Sequence, residues 1–284
     1  MTKKQKTVFF IICACVIAVI VIGLCVVKSG GGSEESIQVA MRDAVLHETN
    51  KVNFFGMEVN PGLISAFVVT AVFLVFGLIV RLFVIPRFKK VPGKFQLAME
   101  TLVGLFDNMA KSNSPHMNKF LGAYIFMCGA YIFVGTIFEL FGFQLTTVDG
   151  ASISMPAPLS DINGAIVMGC LSYLVIMSGG LIANGIKGVG KTLKDFSLPI
   201  SMSFRLFGAL LSGALVTELV YYYPLTKFGF PIIVGVLFTL LHALIQAYVL
   251  TTLTSVFYGE VSEKSLPKPK KVKTKKVKAQ KLQA

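Results

Sequence analysis

The chain has 284 residues, of which 54% are apolar and only 14% are charged, and its mean hydropathy is +0.74. A soluble domain is about one quarter charged, so this composition excludes an ordinary water-soluble fold and indicates a bilayer as the main solvent. The net charge is +13, and nine lysines lie between Lys264 and Lys281. Such a run can bind nucleic acid or ribosomes, but we interpret it as a solvated tail near anionic lipid and expect no nucleic-acid partner.

Six apolar stretches are each long enough to cross a bilayer as a helix, which needs about 20 residues. They cover residues 8–27, 62–85, 120–141, 162–186, 197–222 and 230–257. We therefore expect an all-α integral membrane protein with five core transmembrane helices and an extra N-terminal span. The expected division is an anchor at 1–28, an extracytoplasmic segment at 29–61, a membrane domain at 62–260 and a basic cytoplasmic tail at 261–284.

The first stretch has two interpretations. It follows Lys3, Lys4 and Lys6, a pattern that secretory signal peptides share with retained anchors. The apolar run is 20 residues long and no small-x-small cleavage site closes it, so we favour an anchor over cleavage. Either outcome leaves the orientation of the other five spans unchanged.

Lysine and arginine are unequally divided between alternating connections. One set contains Arg87, Lys89, Lys90, Lys94, Lys111, Lys187, Lys191 and Lys194. The other set contains only Lys28, Arg42, Lys51 and Lys227. Because positive charge marks the cytoplasmic side, we expect the first set inside and both termini cytoplasmic if the first span is retained.

Two connections have patterns of their own. Residues 31–60 begin polar and glycine-rich, and we expect their later part to form a short amphipathic helix on the outer surface. At 93–112, apolar residues recur at helical spacing with charged residues between them. This second pattern predicts a helix lying in the cytoplasmic interface.

The five cysteines all lie in apolar stretches, at positions 13, 15, 25, 128 and 170. Their spacing matches no paired metal motif, and thiols inside hydrocarbon are poor candidates for a disulfide framework. We expect neither a metal site nor a cofactor.

Arg205 lies inside the fifth stretch, where an arginine costs roughly 2.5–3.5 kcal/mol by insertion scales. Because arginine keeps its charge, it needs a counter-charge. Ala209, Ser212 and Val216 follow at helical spacing, and such small residues would let another helix approach closely. The arginine either forms a structural pair with Glu139 of the third stretch or meets an acid brought by another subunit.

The last two stretches carry further polar residues. Glu218 lies 13 residues after Arg205, roughly 220° round the helix, and therefore on a different face. Thr239, His242 and Gln246 share one face of the last stretch. Such a stripe either packs against another helix or lines water, and the sequence leaves both open for the histidine.

Four motifs resemble the a subunit of F-type ATP synthases. Residues 199–213 (PISMSFRLFGALLSG) resemble the family's arginine helix, and residues 241–252 (LHALIQAYVLTT) resemble its last helix. Residues 91–96 (VPGKFQ) are similar to the signature after its first common span, and residues 158–163 (PLSDIN) to the entry to a later span. The motifs occur in the family's order.

The resemblance implies a function for the buried charge. The family's a subunit lies beside a rotating ring of c subunits, each with one membrane-embedded carboxylate, and its last two helices are long and face that ring. Arg205 would separate two half-channels that carry protons or Na⁺. The expected ion-translocation residues are Arg205, Gln246, Glu218, Glu139, His242, Ser212, Asp161 and Asn163.

The resemblance also implies partners and a location. The partners are the c-ring, the b-subunit peripheral stalk and, through the stalks, the catalytic head, all in a bacterial plasma membrane. The chain contains no nucleotide-binding loop, so ATP chemistry would belong to partner subunits and this subunit would be non-catalytic.

Three positions depart from the family's pattern. Ala209 stands where asparagine is common, Ala214 where many members have glutamate, and Thr239 where many have histidine. We infer that the outer half-channel uses Glu218 and Glu139 differently from the best-known members.

Two other classes are weaker candidates. A membrane-protein insertase can share the span count, a groove arginine and a basic tail, but its arginine belongs in the first core span and is followed by a charged hairpin. Here the arginine is in the penultimate span, and the connection at 187–196 is too short for a hairpin. A secondary antiporter would carry its own carboxylate beside the arginine.

Overall fold

The computed structural model describes Ala18 and residues 51–263, except for 55, 117, 147, 149, 151 and 223–229 and the side chains of 218, 221, 222, 230 and 231. Five helices in this part are long and apolar enough to cross a membrane. They confirm the five core spans of an all-α membrane protein. Apart from Ala18, the predicted N-terminal span at 8–27 lies outside the described residues, and so does the basic tail from Lys264.

Seven α-helices form the described part of the chain. They are α1 (Pro61–Ile79), α2 (Lys94–Asn113), α3 (Lys119–Phe138), α4 (Ile162–Asn184), α5 (Ile186–Leu193), α6 (Ser197–Tyr222) and α7 (Phe230–Ser262). Two small antiparallel hairpins lie in the connections, β1 (Val52–Phe54) with β2 (Met57–Val59) and β3 (Gln144–Thr146) with β4 (Ser152–Ser154). The composition of the chain did not predict these hairpins.

The helix expected at the end of the 31–60 segment is wrong over residues 52–59, which form the first hairpin. Val52 pairs with Val59 across it. Gly56 has φ +87, a left-handed conformation that glycine adopts without steric cost, and its N–H donates to Asn53 Oδ1 at 2.9 Å. The turn at Gly56 therefore reverses the chain and forms a hairpin here.

The first span ends irregularly. α1 continues into a π-helical turn at Val80–Val84 and a 3₁₀ turn at Ile85–Arg87. Pro86 has no N–H and its ring clashes with the carbonyl four residues earlier, which breaks the α pattern. The N–H of Ile85 accordingly bonds the carbonyl of Val80, five residues back. The span thus reaches Arg87.

Gln96, the last residue of the VPGKFQ motif, has a structural role. Its side chain accepts a hydrogen bond from the Lys89 N–H at 3.1 Å and donates one to the Lys89 carbonyl at 3.0 Å. It also donates to Glu100 Oε1 at 2.7 Å. One amide therefore closes the loop between the first span and α2.

Four helices, α3, α4, α6 and α7, form the centre of the bundle. Their facing sides supply a continuous apolar core that includes Ile125, Ile132, Ile176, Met202 and Leu206. α1 contacts chiefly α3 and leaves most of its apolar surface exposed. It is therefore a peripheral span.

The predicted helix at 93–112 is present as α2, although its position in the membrane interface stays a prediction. Its C-terminal end docks on α7, where Asn113 Nδ2 donates to Ser255 Oγ at 3.0 Å. A Cβ added to Gly259 would lie 2.0 Å from the carbonyl oxygen of Asn113. Only glycine fits at this crossing.

We expect Gly259→Ala to destabilise the chain by about 1–3 kcal/mol, because a methyl group would force the α2 end away from α7. Gly104→Ala is the matched control, since a Cβ at Gly104 meets nothing within 4 Å. Thermal unfolding in detergent measures both variants. An unfolding temperature for Gly259→Ala equal to that of the control would contradict this close approach.

Candidate functional site

Arg205 is exposed on α6. The ion pairs within the described part of the chain are Lys51–Glu58 and Lys111–Asp107, so Arg205 has no ion pair there. This result removes one of the two interpretations of the sequence, the structural pair with Glu139. The guanidinium faces outward from its own bundle.

The packing of α6 fixes that direction. Met202, Leu206 and Leu210 are buried in the core. Ser203 is also buried on that side, and its hydroxyl donates to the Pro199 carbonyl at 2.7 Å. At 100° per residue these positions lie opposite an exposed face that consists of Ser201, Phe204, Arg205, Gly208 and Ser212.

A close helix crossing holds the buried side of α6 against α4. A Cβ added to Gly169 would lie 2.9 Å from the Pro199 carbonyl oxygen and 3.1 Å from the Ser203 nitrogen. These are backbone atoms, which cannot rotate aside. The glycine therefore sets the position of the helix that carries Arg205.

Of the small residues predicted beside Arg205, Ser212 is exposed, whereas Ala209 and Val216 are half-buried. Gly208 is exposed, and a Cβ placed there meets nothing within 4 Å. Ser212 is also exposed, and its hydroxyl donates to the Ala209 carbonyl at 2.8 Å. Helix spacing alone did not single out Gly208, but its open surroundings do.

The polar stripe on α7 faces the bundle. Gln246 is only 6% exposed, whereas His242 and Thr239 are half-buried. A Cβ on Gly213 of α6 would lie 3.2 Å from His242 Nδ1, so the imidazole fills the space that this glycine leaves. His242 therefore packs against α6, and a role in ion transfer stays a prediction.

The backbone of Glu218 belongs to α6, but its side chain is outside the described part of the chain. Its position is 13 residues beyond Arg205, which is about 20 Å along a helix at 1.5 Å per residue. The two residues therefore cannot touch. Any role of Glu218 concerns a different depth of the membrane.

Glu139 lies at the opposite end of α3 from Lys119, in a 3₁₀ turn at Glu139–Phe141. The backbone of Ala157 lies close to its carboxylate. The loop that contains Ala157 covers this end of α3, with Pro158 packed 3.6 Å from the Cβ position of Gly135. Glu139 is thus tied to the connection before α4 and not to Arg205.

Asp161 and Asn163 form the beginning of α4. The Asp161 side chain caps the helix by accepting from the Asn163 N–H at 3.2 Å. Asp161 also packs against the start of α1, since its Cβ lies 3.0 Å from the Cβ position of Gly62. The observed role of this pair is structural, and a role in translocation stays a prediction.

The family model described as ATP synthase A chain matches residues 63–259, which contain every predicted ion-translocation residue. The chain belongs to this family. Two ATP synthase subunit a proteins of Cereibacter sphaeroides, from strains ATCC 17025 / ATH 2.4.3 and ATCC 17029 / ATH 2.4.9, are each 26% identical to it over 179 residues. Each match covers 59% of this chain and 69% of the relative.

Membership of the family confirms the resemblance stated from the four motifs. The chain is a multi-pass membrane protein and a membrane-sector subunit that associates with other ATP synthase subunits. The match gives no support to the insertase alternative.

Proposed function

We propose that this subunit carries protons or Na⁺ between two half-channels and the carboxylates of a c-ring, and that Arg205 separates the channels. The observation that carries the proposal is the outward-facing guanidinium, which has no ion pair within the described residues. A charge held in hydrocarbon without a partner is costly. An acid on a neighbouring subunit would remove that cost.

The chemistry of the site follows from a fixed cation. A guanidinium within a few ångströms favours the ionised form of a passing carboxylate, which lowers the pKa of that carboxylate and releases its proton. The same permanent charge repels a proton that moves directly from one half-channel to the other. Each elementary charge that crosses gains about 2.3 kcal/mol per 100 mV, which is the energy available for rotation.

The shape of α6 fits this role. Gly208 and Ser212 leave a shallow surface beside Arg205, and small residues permit close helix approach inside a membrane. We therefore propose that the exposed faces of α6 and α7 lie against the ring. Gln246, on the buried side of α7, would position groups in the same layer by hydrogen bonding and carries no charge.

Assembly and orientation complete the proposal. The lysine-rich connections and both termini lie in the cytoplasm of a bacterial cell, and residues 1–28 form a retained anchor. The b-subunit stalk links this subunit to the catalytic head, where ATP is formed. The subunit itself is non-catalytic.

We expect Glu218→Gln to slow ion flow by roughly tenfold or more, because glutamine cannot exchange a proton. Glu139→Gln is the comparison, since it makes the same chemical change at the acid at the end of α3. Proton uptake by inverted vesicles measures both variants. If Glu139→Gln slows uptake and Glu218→Gln does not, the outer channel follows α3, and the assignment to Glu218 is wrong.

Purification of the tagged full-length chain in mild detergent tests the proposed partner. We expect it to retain a small two-span protein that has one carboxylate in the middle of a helix. Mass spectrometry identifies that protein, and dicyclohexylcarbodiimide labels its protonated carboxyl group. A fully assembled complex that lacks such a protein would contradict the proposed function.

A further inference from the structure

A cleft of about 450 Å³ lies at the end of the bundle where α3 begins. It is lined by His116, Asn118, Lys119, Phe120, Ser178, Ile182 and Tyr258. The lining contains two basic side chains and no acidic one. Its position is the boundary of the apolar span that runs from Lys119 to Phe141, which is the level of lipid headgroups.

Tyr258 is the most informative residue of this cleft. It is only 1% exposed, and its ring packs against Gly179, where a Cβ would lie 2.5 Å from the ring edge. Within the described part of the chain, the Tyr258 hydroxyl has no hydrogen-bond partner. Every fully buried polar side-chain atom in that part does have a partner, so this hydroxyl is not fully buried. The hydroxyl of this buried tyrosine is therefore accessible from the cleft that it lines. Buried tyrosines usually find a partner, so this donor is available to a ligand.

The other donors suit an anion. Lys119 is exposed and has no ion pair among the described residues. The first turn of α3 has no side-chain cap at Asn118, so no side chain occupies the N–H groups of the exposed residues Lys119 and Phe120. A helix start, a lysine and a tyrosine hydroxyl together match the oxygens of a phosphate group.

The apolar part of the cleft distinguishes a lipid from a free anion. Phe120 is 60% exposed and Ile182 is 68% exposed, and both line the same cleft as the basic residues. Such side chains offer nothing to inorganic phosphate, but they suit an acyl chain. We infer that this cleft is a binding site for one anionic phospholipid, with its phosphate at Lys119, His116 and Tyr258 and an acyl chain on Phe120 and Ile182.

Native mass spectrometry of the assembled complex tests this site. The probe is phosphatidylglycerol in mixed nanodiscs with phosphatidylcholine, and the readout is the number of lipids retained per chain. We expect the double variant His116→Gln/Lys119→Gln to retain phosphatidylglycerol about tenfold less well than the unmodified chain, and Tyr258→Phe to retain it several-fold less well. Lys111→Gln is the matched control, because Lys111 already pairs with Asp107 at 2.6 Å outside the cleft.

Three results would overturn the inference. Equal retention by the double variant and the control would mean that the cleft does not hold the lipid. Equal retention of phosphatidylcholine would mean that the negative charge is not recognised. Displacement of the lipid by excess inorganic phosphate would mean that the site takes a free anion. The inference does not depend on the role proposed for Arg205.

Discussion

Replacing Arg205 by alanine is expected to abolish coupled ATP synthesis, with a loss of about 100-fold or more, while the membrane assembly stays intact. The expected size of this loss in ATP synthesis follows from removing a preorganised charge that acts in a low-dielectric site. Folding should change little, because the guanidinium is exposed and has no ion pair among the described residues. ATP synthesis by reconstituted vesicles under an imposed proton gradient measures the effect.

Arg81→Ala is the control for that experiment. Arg81 is also exposed, but it lies in the π-helical turn near the end of the first span, where its side chain can reach the interface. We expect the control to retain synthesis close to that of the unmodified enzyme. Normal synthesis by the Arg205→Ala variant would refute the assigned role.

Gly208→Leu is expected to reduce retention of the ring by about tenfold without unfolding the subunit. In the chain alone, Gly208 is exposed and a Cβ added there meets nothing within 4 Å, so we expect the fold to accommodate the leucine. Against a ring helix the same leucine would act as a wedge next to Arg205, at an overpacking cost of about 1–3 kcal/mol. Co-purification of the ring and ATP-driven proton pumping measure the effect.

The matched control is Gly77→Leu on α1. Gly77 is likewise exposed, near the end of α1 within the first span, and likewise has open space at its Cβ position. We propose that α1 faces lipid at this position, so this variant should retain both ring and pumping. If both leucine variants behave like the unmodified subunit, the exposed face of α6 does not meet the ring.

Much of the fold was predictable because one physical rule dominates it. Lipid forces each apolar stretch to satisfy its own backbone, and all five described spans appear as helices close to the predicted bounds. The hairpin at Val52–Val59 was missed because its signal is a single glycine with positive φ. The irregular end of the first span depends on Pro86. The bounds of an apolar stretch do not show how a proline changes the preceding turn.

The candidate site was less completely predictable. The cost of an arginine in hydrocarbon identified Arg205 from the sequence alone. The sequence could not show whether Arg205 pairs with Glu139 or with an acid of another subunit, because the answer depends on which side of α6 packs inward. The burial of Met202, Leu206 and Leu210 turns Arg205 away from its own bundle, and an acid of another subunit remains our proposal. Asp161 was predicted from a motif as an ion-translocation residue, and the structure shows that its side chain caps α4.

The most direct test of the central claim is an electron cryo-microscopy map of the assembled membrane sector at side-chain resolution. We predict that the guanidinium of Arg205 lies within about 4 Å of a ring carboxylate, or one water away from it, at the depth of the membrane centre. A map in which Arg205 pairs with an acid of its own chain, or points into lipid away from the ring, would contradict the account.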